Sequence, residues 1–391
     1  MTMKIAILGG AGQIAWQLAD WLRTQDGIEV TALCRSNLLA GPLLALGKPV
    51  RVFDSTKEES IRSALSQAEV VIDCTFASLP KTRHNDELTK FYTTVLSSPG
   101  VRYFVHLSSI AVYGVITAKS AVSFEQPEPD TIYGVQKLET EKVIQTVAAS
   151  CGVPLLIARV GNVYGPWMSY SSLWANMIAG GSIDERQWPK PSNAIHIRQL
   201  CQAIAIAVEQ RICGIWNALG SPNAPWSEVI AWHRQALRLI RPDVPETPEA
   251  SITISPKRYS ASAVASIRDV LQTIYRRSLS SIAEQPVLAQ SIQRWVARFR
   301  FTPSMGAVKD AFGWDSMQTF FAPKTTDAAS MIFDSSDIPG RNLPGADPLS
   351  ATDFEELANY LRMIFLPKSV HAVIESQLAL NASLARASQE G

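Results

Sequence analysis

The feature that most constrains this chain is the junction between its first apolar run and the turn behind it. Lys4-Ile5-Ala6-Ile7-Leu8 shows no polar alternation, which predicts a strand buried on both faces of a parallel sheet. Gly9-Gly10-Ala11-Gly12-Gln13-Ile14-Ala15 follows at once, and then a helical pattern with Ile14, Leu18, Ala19 and Leu22 on one face. Strand, glycine-rich turn and helix are the parts of a dinucleotide-binding βαβ unit. Gly9 and Gly12 allow a tight turn and close approach of a pyrophosphate. Free N–H groups at the helix start, from Gln13 and Ile14 onward, face the phosphate charge with the positive end of the helix dipole. Ala15 stands where a third glycine often sits and is small enough for close helix–strand contact.

The second strand is predicted at Glu29 to Cys34 and ends at Arg35-Ser36. In this architecture an acid at that point bonds the 2′-hydroxyl of NAD, whereas an arginine suits the 2′-phosphate of NADP. The chain has Arg35 and no acid, which favours NADP, with NAD as the alternative. Pro49 to Asp54 reads as a third strand, and Asp54 either meets the adenine or caps the helix that follows. Ala68 to Thr75 reads as a fourth strand. Its last residues, Thr75 and Phe76 among them, belong at the carboxyl edge where a cofactor lies.

Val101 to Leu107 is a fifth strand that delivers Ser108-Ser109 to the same edge. Tyr133 comes 24 residues after Ser109, and Lys137 four residues later, one helical turn on and on the same face. A phenol titrates near ~10 and is a poor base at neutral pH. A neighbouring ammonium and a cationic nicotinamide are expected to lower that value. A serine hydroxyl of the Ser108-Ser109 pair would then bond the substrate oxygen.

These segments resemble the extended short-chain dehydrogenase/reductase family, the NAD-dependent epimerase/dehydratase group. The matching pieces are Gly9 to Ala15, Leu107 to Gly114, Tyr133 to Lys137, and Ala158-Arg159-Val160-Gly161-Asn162-Val163-Tyr164-Gly165-Pro166. The resemblance implies a Rossmann-type doubly wound α/β fold with a smaller, mostly helical C-terminal lobe. It implies Ser109, Tyr133 and Lys137 as the catalytic set, Lys137 also reaching the nicotinamide ribose. Arg159 and Asn162 would lie near cofactor and substrate. The implied chemistry is hydride transfer at a secondary alcohol or ketone carbon, on a nucleotide-sugar or, alternatively, on a small intermediate reduced with NADPH. A non-catalytic NAD(P)-binding sensor is the reading from another class. The family's histidine-hydrophobic-acid-acid run is here His196-Ile197-Arg198-Gln199, without the acids, so His196 reads as structural. No acid adjoins Ser109, which argues against dehydratase elimination.

Bulk properties narrow the rest. With 391 residues, 47% hydrophobic and 18% charged, the chain is a folded globular protein. A net charge of +1 gives no case for nucleic acid or an acidic membrane surface. Five scattered cysteines lack metal-type spacing and read as reduced thiols, which with the absent leader and spans predicts a cytoplasmic protein. The dinucleotide domain is expected over 1–165, with strands returning near 190–220, and the substrate lobe and extended helical region over 166–391. Tyr164 and Trp167 are candidate substrate contacts. Trp167, Met168, Tyr170 and Trp174 otherwise form a core between lobes. Gly214 to Gly220 reads as a further strand of the main sheet, and a helix begins near Pro225. Arg241 to Pro256 reads as a linker. Arginine-bearing helices are expected over 260–300, a helical stretch at 308–314, a loop at 327–348 and terminal helices at 353–365 and 370–384. This long C-terminal portion carries substrate selection, a partner surface or a homodimer contact.

Overall fold

The computed structural model describes residues 2–35, 40, 43–44, 48–76, 84–114, 126–179, 189–246, 338, 340–344 and 347–365. The expectations for 260–300, 308–314 and 370–384, and for most of the linker and the late loop, lie outside these residues.

Apolar strand runs assemble one sheet. β1 (Met3–Leu8), β2 (Ile28–Cys34), β3 (Val50–Val52), β4 (Val70–Asp73), β5 (Tyr103–Ser109), β6 (Leu155–Val160) and β9 (Gly214–Ala218) form it in the order β3-β2-β1-β4-β5-β6-β9. Every pairing is parallel. The strand order reverses between β1 and β4, the place where such sheets open a crevice at their carboxyl ends. β7 (Asn162–Tyr164) and β8 (Ala194–His196) pair separately, so β9 alone of the later strands returns to the main sheet.

Helices cover both faces. α1 (Gln13–Arg23) and α6 (Ile197–Glu209) lie on one side, with Leu18, Leu22, Leu200 and Ile204 fully buried against Ile5, Ile7 and Val105. Each such side chain contributes about 1.5–3 kcal/mol. α2 (Glu58–Leu65), α3 (His84–Leu96) and α4 (Ile132–Cys151) cover the other side around Val71 and Phe104. α5 (Ser169–Ala179), α7 (Trp226–Arg238) and α8 (Ala351–Phe365) share a second core built on Trp174, Trp226, Leu237 and Leu361. The chain also returns to the edge of the main sheet. The Asn217 N–H donates to Arg341 O at 2.7 Å, and the Leu343 N–H to Asn217 O at 2.8 Å.

Candidate active site

The glycine turn is shaped by what surrounds it. Gly9 has φ +78°, and a Cβ there would sit 3.1 Å from the Cys74 carbonyl. A Cβ on Gly10 would sit 2.9 Å from the Ala32 Cβ. The turn is thus wedged between the ends of β2 and β4, where only glycine fits. Gly12 donates to Gly9 O at 2.7 Å and is the N-cap of α1. No side chain caps this helix, and its first turn carries no acid. An uncapped, acid-free helix start above such a turn fits a dinucleotide pyrophosphate. Gln13 is exposed at that start, and Ile14 packs half-buried on the core. Arg35 is exposed just beyond β2. Asp54 is occupied locally: its Oδ1 accepts from the Thr56 N–H at 2.9 Å and hydroxyl at 2.6 Å, and Lys57 lies 3.4 Å from Oδ2. It closes the turn before α2, whose N-cap is Lys57, and so does not cap that helix.

β5 runs two residues further than expected, so Ser108 and Ser109 are its last residues and point to opposite faces. Ser109 caps the 3-10 turn Ile110–Tyr113, accepting from the Ala111 N–H at 3.2 Å. α4 begins beside that turn. Thr131 caps it by accepting from the Gly134 N–H at 2.9 Å, and Gly134 lies so near the turn that a Cβ would stand 2.2 Å from Ala111 O. This close approach brings the Tyr133 phenol near the Ser109 hydroxyl. The Tyr133 ring packs on Phe76, centroids 5.1 Å apart. One turn on, buried Lys137 donates to Leu107 O at 2.9 Å and Thr75 O at 3.2 Å.

The electrostatics correct one expectation. Burial pushes the Tyr133 phenol up to about 12, and the Ser109 contact offsets this only in part. Lys137 is engaged by two carbonyls and does not lower it. Without a bound cation Tyr133 is therefore a neutral phenol at ordinary pH. Tyr170 approaches from α5 and is likewise pushed up to about 12, by burial first and by Tyr133 second.

Beneath these groups lies a layer of buried polar side chains. Ser108 donates to Glu141 at 2.5 Å, Glu141 pairs with Arg159 at 2.8 Å, and Arg159 donates to the Tyr113 hydroxyl at 3.2 Å. Tyr113 in turn donates to Asn217 at 2.7 Å. Ser108 and Arg159, expected near substrate and cofactor, are instead 4% and 2% exposed and engaged within this layer. A second cluster joins Asp73, Tyr92, His106 and Thr75. Sequence reading passed over it, although an acid and a histidine inside otherwise apolar strands are a visible signal.

On the lobe side, Asn162 donates to Ser192 O at 3.1 Å. Tyr164 is buried among Trp174, His196, Trp232 and His233, and Trp167 packs against Trp16 and Tyr360. The aromatic cluster is thus chiefly a core. His196 caps α6, its Nδ1 accepting from the Arg198 N–H at 3.3 Å, in keeping with a structural residue. Among the described residues no group of three His, Cys, Asp or Glu side chains could hold a metal ion. Among the same residues no helix is long and apolar enough to cross a membrane.

Comparison with known proteins adds a family. Residues 5–211, just over half of the 391-residue chain, match the NAD dependent epimerase/dehydratase family. A UDP-glucose 4-epimerase of Corynebacterium glutamicum is 24% identical over 245 residues, covering 54% of this chain and 73% of that protein. Among solved structures, a UDP-N-acetylglucosamine 4-epimerase from Bacillus cereus matches with a TM-score of 0.46 at 19% identity, covering 60% of this chain and 85% of that one. A dTDP-glucose 4,6-dehydratase from Bacillus anthracis matches with a TM-score of 0.49 at 17% identity, covering 68% and 89%.

Proposed function

The chain belongs to the NAD dependent epimerase/dehydratase family, enzymes of the short-chain dehydrogenase/reductase superfamily, and from that premise we propose that it oxidises and reduces a secondary carbinol carbon with Ser109, Tyr133 and Lys137. One observation carries this reading. The segment Cys74–Phe76 is held between the glycine turn and the candidate catalytic groups: Gly9 abuts the Cys74 carbonyl, Thr75 O accepts from Lys137, and Phe76 packs on Tyr133. Residues 74–76 thus link the glycine turn, which would hold a pyrophosphate, to Tyr133 and Lys137.

The bound nicotinamide supplies the reversible hydride acceptor. Ser109 donates to the substrate oxygen and orients it. Tyr133, a neutral phenol in the protein alone, gives its proton to a carbonyl oxygen. In the oxidative direction it recovers that proton from the carbinol hydroxyl. Lys137 fixes the floor of the site by joining the ends of β4 and β5.

The curated relative acts on UDP-glucose, which supports a nucleotide-sugar substrate here. The exposed Arg35, with no acid beside it, supports NADP as cofactor and keeps a second reading in view, an NADPH-dependent reductase of a small ketone. Purified protein is incubated with UDP-glucose and NAD or NADP, and separately with ketone substrates and NADH or NADPH. An epimerase converts sugar with no net change in nicotinamide absorbance, whereas a reductase consumes NADPH in step with product. Under either reading Tyr133→Phe lowers turnover by about 10²–10⁴-fold. Unchanged turnover sinks the assignment.

A further inference from the structure

Asp73 and His106 occupy register-paired positions on β4 and β5, and both are completely buried. The face they occupy is otherwise the apolar seat of α3 and α4, so a carboxylate there needs a reason. Its oxygens are fully used. Oδ1 accepts from the Thr75 N–H at 2.9 Å and the Thr75 hydroxyl at 2.6 Å. Oδ2 accepts from the Tyr92 hydroxyl and from His106 Nδ1, each at 2.8 Å. An ionised carboxylate only accepts, so the His106 proton is on Nδ1. Its Nε2 is buried with no partner among the described residues.

The two carbonyls that hold Lys137 flank this pair. Thr75 lies two residues past Asp73, and Leu107 one residue past His106. The bridge fixes β4 against β5, and Lys137 joins Leu107 O of β5 to Thr75 O just past the end of β4.

We propose that Asp73, clamped by Tyr92 and His106, is a positioning residue for Lys137: it orients the Thr75 carbonyl and provides the buried countercharge for the ammonium. This rests on the reading of Ser109, Tyr133 and Lys137 as the reacting set. Burial pulls Lys137 below its usual range, and the negative charge of Asp73 leads the groups that oppose it, with Cys74 and Glu141 behind. Burial alone would raise the Asp73 carboxyl, but the bonds from His106 and Thr75 prevail and hold it below its usual range. The groups facing Asp73 are thus Tyr92 from α3, His106 from β5, Lys137 from α4, and Cys74 and Thr75 on its own segment.

The test is a pH profile of kcat on the cofactor-loaded enzyme. Asp73→Asn removes the charge at constant size. Lys137 then loses its proton at lower pH, so the alkaline limb moves down by about one pH unit or more, and kcat falls while KM for substrate stays near that of the parent. A lower melting temperature with an unmoved alkaline limb, or a profile like the parent's, overturns the proposal. Should Asp73→Asn fail to fold, Tyr92→Phe keeps the ring and removes one donor to the carboxylate. Asp73 is then protonated at higher pH, and the acidic limb moves up; an acidic limb left in place overturns the proposal. Tyr133→Phe is run beside both. Parental turnover in that variant places the failure with the assigned reaction rather than with Asp73.

Discussion

At the residue scale, the site divides into side chains whose type announced them and side chains whose geometry reassigned them. The catalytic role of these side chains stays a proposal, but the placement of Tyr133 and Lys137 was legible because a fixed spacing on a helix puts them on one face, and that of Ser109 because it ends a strand. Ser108, its neighbour, could not be separated from it by sequence. Only the strand alternation decides that its hydroxyl goes to Glu141 instead of the cleft. Sequence alone does not pair Arg159 with Glu141, which lies 18 residues earlier on another element. The proposed preference for NADP rests on Arg35. It is exposed and follows directly on the strand whose Ala32 and Leu33 press against Gly10. If Arg35 holds a 2′-phosphate as proposed, Arg35→Ala would remove a charge-assisted contact of about 1.5–3 kcal/mol. Titration of nicotinamide fluorescence should show affinity for NADPH falling by at least about tenfold, with affinity for NADH little changed. Equal losses for both cofactors would remove Arg35 from the 2′-phosphate site.

At the element scale, the decisive contact is between the start of α4 and the 3-10 turn after β5. The sequence announced the helix but neither the 3-10 turn nor how closely the two approach, because a glycine inside a helix reads as a minor flaw until the backbone it touches is known. Gly134 touches Ala111 O, and its N–H is held by Thr131. Gly134→Ala places a methyl where the Ala111 oxygen lies, so α4 must move away and carry Tyr133 from Ser109. The glycine turn at Gly9–Gly12 is untouched by this shift. The expected result is a loss of about 10²-fold in turnover with nicotinamide cofactor affinity close to that of the parent. A variant that loses cofactor affinity and keeps turnover would show that α4 is not positioned through this contact.

At the scale of the whole molecule, what escaped the sequence is how the last described helix closes the structure. Arg198, in the place of an expected acid, pairs with Asp353 of α8 at 2.6 Å and reaches Pro348 O at 2.7 Å. The same core holds two buried histidines. Burial lowers His196 to about 3, with Arg198 and His233 helping and Asp353 opposing. Burial lowers His233 to about 4 against the bond to Val229 O. Both are therefore neutral in the folded protein at any pH above these values, while in the unfolded chain they take up protons below about 6.5. The unfolded state thus binds more protons between about 6.5 and 4, and stability must fall as pH falls through that window. Each proton taken up contributes a slope of about 1.4 kcal/mol per pH unit. Asp353 acts in the same direction further down: bonds from Ser350 and the Arg198 charge overcome burial and depress its carboxyl. Its contribution is present above the ordinary carboxylate range and lost below it. Urea unfolding at a series of pH values should show a slope approaching two protons in the parent. In His233→Asn, whose amide does not titrate, the slope should fall by one proton. A parent whose stability is flat between pH 6.5 and 4 would mean that both imidazoles can ionise within the folded core, and that the aromatic core around Tyr164 and Trp232 is open to water.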